Sequence, residues 1–151
     1  MSTAEPVAAV VQRVVPAPPE LVYQEWLDAE ALKDWMCPFP ARANKVELDA
    51  SVGGRLRIDI DDGDEHYFVV GRYIDLDPPN RLSFTWSCST WPDPTVESVV
   101  TVTLEPVRDD QTLMTIEHTL LPEGLVERHR DGWLRTAEQL AENMQRRPSG
   151  A

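Results

Sequence analysis

Asp77-Pro-Pro-Asn-Arg-Leu-Ser-Phe-Thr-Trp86 is the stretch on which the fold turns. Leu82, Phe84 and Trp86 alternate with Ser83 and Thr85, the period-two pattern of a strand that buries one face. Pro78 and Pro79 lack the N–H that a ladder requires, so they place a turn in front of this strand and another strand before the turn.

Upstream, Arg55-Leu-Arg-Ile-Asp-Ile-Asp61 is the cleanest alternating segment, with Leu56, Ile58 and Ile60 on one face and Arg55, Arg57, Asp59 and Asp61 on the other. Gly53-Gly54 gives the backbone freedom just before it, and residues 45–49 alternate as a further strand. Asp62-Gly63 predicts a hairpin. The return strand covers residues 65–76, with Gly71 marking a bulge or bend. At the start, residues 7–15 read as a first strand that stops at Pro16-Ala-Pro-Pro19. Those prolines suit the first turn of a short helix, which Leu21, Val22, Glu25 and Trp26 continue. Leu32, Trp35 and Met36 form a second short helical turn, stopped by Pro38 and Pro40.

Downstream, Trp91-Pro-Asp-Pro94 is a loop before a strand over residues 96–104. Arg108-Asp-Asp-Gln111 turns the chain into a strand over residues 113–120. Short turns join most neighbours, so the sheet of about seven strands is antiparallel. From Glu123 the period becomes helical: Val126, His129, Trp133, Ala137, Leu140 and Met144 recur every three or four residues as one apolar stripe. Glu123 and Glu127 lie near its start and Arg146 and Arg147 near its end, as a helix dipole favours. Residues 148–151 read as a frayed tail. The expectation is one α+β domain over residues 1–151, with its core at about 7–146.

The composition narrows the function. An apolar fraction of 42% with 5 tryptophans supports a sizeable core. No apolar run reaches the roughly 20 residues that span a bilayer. Met1-Ser-Thr-Ala-Glu-Pro6 has neither the basic flank nor the apolar stretch of an export signal, so a cytoplasmic location is expected. The formal net charge of -12 repels phosphate backbones and anionic lipid, which excludes nucleic acid and membrane surfaces as partners. Cys37 and Cys88 have no CxxC spacing and read as ordinary thiols. The acidic run Asp59-Ile-Asp-Asp-Gly-Asp-Glu-His66 fails calcium-loop spacing because Gly63 falls where a ligand should sit, and it reads as a solvated hairpin turn.

Taken in order, Ala17-Pro-Pro-Glu20, Val52-Gly-Gly-Arg55, Asp77-Pro-Pro-Asn-Arg-Leu82, Phe84-Thr-Trp86, Thr112 through His118 and Gly132-Trp133 carry a resemblance that covers nearly the whole chain. The sequence resembles the single-domain bacterial branch of the family named after the activator of heat-shock protein 90 ATPase, within the START-like, Bet v-like (SRPBCC) helix-grip superfamily. That resemblance implies a curved antiparallel sheet gripping the long C-terminal helix, two short helices, and an internal cavity for an apolar ligand without a permanent cofactor. Superfamily relatives carry lipids, sterols, polyketides and plant hormones, and some are cyclases. The extra N-terminal chaperone-binding domain of the eukaryotic activator has no counterpart here, so ATPase stimulation is not expected.

Alternation assigns Leu56, Ile58, Phe68, Val70, Phe84, Trp86, Ile116 and His118 to the face that meets the helix. Trp133, Ala137 and His129 face them from the helix, while Trp35 and Met36 close one end. Such a wall suits a flat or elongated apolar molecule, and it equally suits a packed core. His118 either orients a ligand or shuttles a proton, or is a core histidine satisfied by a neighbour such as Trp133. There is no nucleophile elbow, phosphate loop or cysteine–histidine metal pattern. The primary expectation is binding of a small apolar ligand (lipid, polyketide or aromatic compound) by a monomer or homodimer. The alternatives are a cyclase-type enzyme acting on a polyketide-like substrate and a co-chaperone-like interaction module.

Overall fold

A computed structural model describes residues 8–146. The elements run β1 (Ala8–Val15), α1 (Pro19–Trp26), α2 (Ala29–Trp35), β2 (Arg42–Leu48), β3 (Arg55–Asp62), β4 (Glu65–Asp77), β5 (Arg81–Cys88), β6 (Ser98–Arg108), β7 (Gln111–Thr119) and α3 (Val126–Arg146). The first residue of the expected first strand, Val7, and the tail at 148–151 lie outside the described residues.

The seven strands form one antiparallel sheet in the order β1-β7-β6-β5-β4-β3-β2. After β1 at one edge, the two short helices carry the chain across to β2 at the other, and a meander returns to β7 beside β1. Pro19 opens α1, where a missing N–H costs nothing. Asp28 caps α2 by accepting from the amides of Glu30 at 2.9 Å and Ala31 at 3.2 Å. Over 21 residues, α3 lies against β1 and β7 and touches α2, while α1 packs on β6 and β7 and α2 on β2. All three helices thus cover the inner face of the sheet.

Strand β5 is its central member, and Leu82, Phe84 and Trp86 point into the core as the opening stretch predicts. The opposite face is less open than alternation suggests. Ser83, Thr85 and Ser87 are also buried, and the Ser87 hydroxyl donates to the Pro94 carbonyl of the β5–β6 loop at 2.7 Å. The sheet bends where β4 meets β5. At Gly71 a Cβ would stand 1.9 Å from the Thr85 carbonyl oxygen, so only glycine allows this approach. The Thr85 hydroxyl there accepts from the Arg72 amide at 3.0 Å. The bulge itself lies three residues on: Tyr73 pairs Phe84 but Asp75 pairs Ser83, leaving Ile74 as the extra residue. That insertion returns Leu76 to the inner face opposite Leu82.

Candidate ligand site between sheet and helices

A row of aromatic rings crosses the interior. Tyr73 meets Phe84 at 6.0 Å between centroids, Phe84 meets Trp26 at 6.2 Å and Trp86 at 6.3 Å, and Trp26 meets Trp35 edge-on at 4.8 Å. From α3, Trp133 closes on Trp86 at 5.2 Å and Trp26 at 6.1 Å. The row continues through His118 and His129, 5.1 Å apart, to Trp91, 5.9 Å from His129. Aromatic contacts of this kind add about 0.5–1.5 kcal/mol each beyond area burial.

The α3 end of this row has its polar groups matched. Trp133 Nε1 donates to His118 Nδ1 at 2.9 Å. An indole nitrogen only donates, so His118 Nδ1 carries no proton and Nε2 does. Nε2 therefore donates to Ser98 Oγ at 2.7 Å, and Ser98 donates onward to the Trp86 carbonyl at 2.8 Å. Burial, with His129 adding to it, pulls the His118 pKa down to about 3, so the ring is neutral with both nitrogens engaged. His129 Nδ1 donates to the Leu125 carbonyl at 2.9 Å. Its pKa is lowered chiefly by burial, against the effect of that bond. Burial likewise pushes the Cys37 thiol up to about 12, with Cys88 contributing, which leaves it a poor nucleophile.

The end beneath α1 and α2 is different. Tyr23 and Trp26, one turn apart on α1, are 5% and 2% exposed, Tyr73 on β4 is 2% and Trp35 on α2 is 0%. The hydroxyls of Tyr23 and Tyr73 and the indole N–H groups of Trp26 and Trp35 have no hydrogen-bond partner in the protein. A buried donor without an acceptor costs about 1–3 kcal/mol, so four in one layer are a substantial unmet demand. Tyr73 has its hydroxyl pKa raised by burial and, less, by Tyr23.

Of the residues assigned to the ligand wall, Trp35, Met36, Leu56, Ile58, Phe84, Trp86, Ile116, His118, Trp133 and Ala137 are buried, and His129 is half-buried. Phe68 and Val70 are not part of the inner face. Asp62 pairs Glu65 across a two-residue turn, which sets Ile58 opposite Val69 and Ile60 opposite Tyr67. Phe68 and Val70 thus share the outer face with Asp59 and Arg57, where the Arg57 guanidinium stacks 4.1 Å from the Phe68 ring centre. Tyr23, Trp26 and Tyr73 were not in the wall expected from sequence. The i, i+3 spacing of Tyr23 and Trp26 is the signal that would have found two of them.

Two clefts open on the outer face, about 360 Å³ beside Asn44, Arg57 and His66 and about 730 Å³ beside Arg55, Val70 and Pro94. Arg57 pairs there with Asp59 at 3.1 Å and Arg72 with Glu97 at 3.2 Å, while the His66 ring is hydrogen-bonded to Asp61 at 2.6 Å. Among the described residues no group of three or more His, Cys, Asp or Glu side chains is placed to hold a metal ion. No described helix is long and apolar enough to cross a membrane.

A family model described as Activator of Hsp90 ATPase homolog 1-like protein matches residues 16–145. Among solved structures, the chain is similar to protein CV1439 from Chromobacterium violaceum, with a TM-score of 0.80 and 27% identity over 93% of this chain and 99% of that one. Protein NE0264 from Nitrosomonas europaea aligns with a TM-score of 0.79 at 20% identity, covering 94% and 96%. PFC0360w, an HSP90 activator from Plasmodium falciparum, aligns with a TM-score of 0.74 at 20% identity, covering 95% and 99%. No curated protein matches the chain.

Proposed function

Because the chain belongs to the Activator of Hsp90 ATPase homolog 1-like family, whose fold commonly binds hydrophobic ligands, we propose that it binds a small, largely apolar molecule between the sheet and the helices. The observation that carries this reading is the set of four buried, unpartnered donors under α1 and α2, set among largely apolar side chains. An apolar pocket with a few placed polar groups is the usual form of a small-molecule site. On this reading the partner is a small molecule and the setting is the cytoplasm.

The cyclase alternative gains no support from His118, whose two nitrogens are both committed, to Trp133 and to Ser98.

The test is a thermal-shift screen of the purified protein against lipids, flavonoids and polyketides, together with solvent extraction for a co-purified compound. A ligand at 100 times its Kd stabilises by about 2.7 kcal/mol, which raises Tm by roughly 5 °C or more in a domain of this size. A flat response across the panel, with an empty extract, overturns the proposal.

A further inference from the structure

We infer that the ligand is neutral and carries a ketone-type oxygen, held by the hydroxyls of Tyr23 and Tyr73 beside the Trp26 and Trp35 rings; this rests on the interior-binding reading above. Beneath α1 and α2 the unpartnered donors are two phenol hydroxyls and two indole N–H groups. Indole only donates and a phenol readily does, so the complement is an acceptor. A carbonyl oxygen has two lone pairs and can accept from both hydroxyls at once. Trp26 and Trp35, at 4.8 Å between centroids, offer aromatic surface to a flat ring system attached to that carbonyl.

Charge decides against an acid. No lysine or arginine among the described residues is buried, so nothing inside would neutralise a carboxylate or phosphate, and an unpaired buried anion is strongly disfavoured. The charges felt at Tyr23 are themselves carboxylates: after burial, Asp77 and then Asp75 raise its hydroxyl pKa. Glu25, on the same helix, is also acidic and buried. His118, neutral and fully bonded, supplies no positive charge. The donor set therefore separates neutral aryl ketones from fatty acids and phospholipids.

The experiment titrates the full chain with three compounds of one skeleton, fluorene, 9-fluorenone and 9-fluorenone-2-carboxylate, following tryptophan fluorescence at neutral pH. Fluorenone is expected to bind about tenfold tighter than fluorene, the worth of one net hydrogen bond, with the carboxylate weakest. Tyr23→Phe and Tyr73→Phe should each bring fluorenone down toward fluorene without changing fluorene affinity. Their ligand-free Tm should hold or rise, since an unpartnered hydroxyl stabilises nothing. The inference is overturned if fluorenone binds no better than fluorene or if the carboxylate binds best. It is equally overturned if the variants lose Tm and keep fluorenone affinity, the mark of hydroxyls bonded to an internal water. Selectivity on the unmodified protein decides the matter should a variant not fold. If neither fluorene nor fluorenone binds, this inference falls; the interior-binding reading falls with it only if the wider panel is also flat and the extract empty.

Discussion

Trp133 on α3 donates its indole N–H to His118 on β7 at 2.9 Å, and this bond sets the tautomer of the histidine and the direction of every hydrogen bond behind it. Trp133→Phe keeps a ring in place but removes the donor, leaving His118 Nδ1 a buried acceptor without a partner. The expected loss is about 2–4 kcal/mol from the missing bond and the smaller ring. Urea denaturation followed by circular dichroism measures it; a loss below about 1 kcal/mol would mean that the bond contributes little to stability.

Acid should weaken the fold before any carboxylate titrates. The pKa of His118 is about 3 in the folded chain against 6.5 when unperturbed. Between those values the unfolded chain binds the extra proton, so stability falls as pH drops below about 6.5 and is level above it. The slope approaches about 1.4 kcal/mol per pH unit for one such group. His129, also lowered, acts with the same sign. Asp59 and Asp61, held low chiefly by hydrogen bonds to Arg57 and His66, enter only as pH falls into the ordinary carboxylate range and below it. His118→Gln can still accept from Trp133 and donate to Ser98, and it should flatten the Tm profile between about pH 5 and 6.5, leaving the His129 share. An unchanged profile contradicts the assignment.

Two glycines should respond oppositely to alanine. At Gly71 the new methyl meets the Thr85 carbonyl at 1.9 Å, and the backbone must move; a loss of about 2–4 kcal/mol is expected. At Gly132, inside α3, the nearest atom is Pro38 Cγ at 4.0 Å, so alanine should stabilise the helix by about 0.5–1 kcal/mol. Thermal melts of the two variants side by side provide the check.

Element order and type were legible from alternation, turn residues and the helical stripe, because each period reports a face directly. The placement of Phe68 and Val70 failed for a definite reason. β4 is apolar on both faces, with Tyr67, Val69 and Tyr73 inward and Phe68, Val70 and Ile74 outward, so periodicity cannot choose between them. The hairpin can: a two-residue turn puts even-numbered residues of β3 opposite odd-numbered residues of β4, and Ile58 and Ile60 were already assigned inward. The pairing of His118 with Trp133 was within reach of the sequence as a possibility. The unpartnered donors under α1 and α2 were not, since hydrogen-bond satisfaction depends on three-dimensional neighbours that no spacing encodes.

Gln139 on α3 fastens the α2–β2 connection. Its side-chain amide donates to the carbonyls of Trp35 at 2.9 Å and Cys37 at 2.8 Å and accepts from the Phe39 amide at 2.9 Å. Gln139→Ala should cost about 1–2 kcal/mol. It should also accelerate hydrogen exchange at the Phe39 amide while the β6–β7 amides keep their protection. Uniform acceleration throughout the sheet would show that Gln139 supports the whole fold rather than this connection.

The sheet order has a consequence for how the chain can be divided. Gln12 on β1 bonds Thr115 on β7 at 3.2 Å, across a sequence separation of 103 residues. Within this sheet the first strand therefore has no strand partner until the last one exists, and α3 then seals both. An N-terminal fragment ending before β7 would hold an apolar strand with nothing to pair with, a state that favours self-association. A cut between β1 and the meander severs the connection that brings β1 to β7. Assembly is late and collective, and the protein should tolerate new termini in its exposed turns far better than it tolerates being split in two.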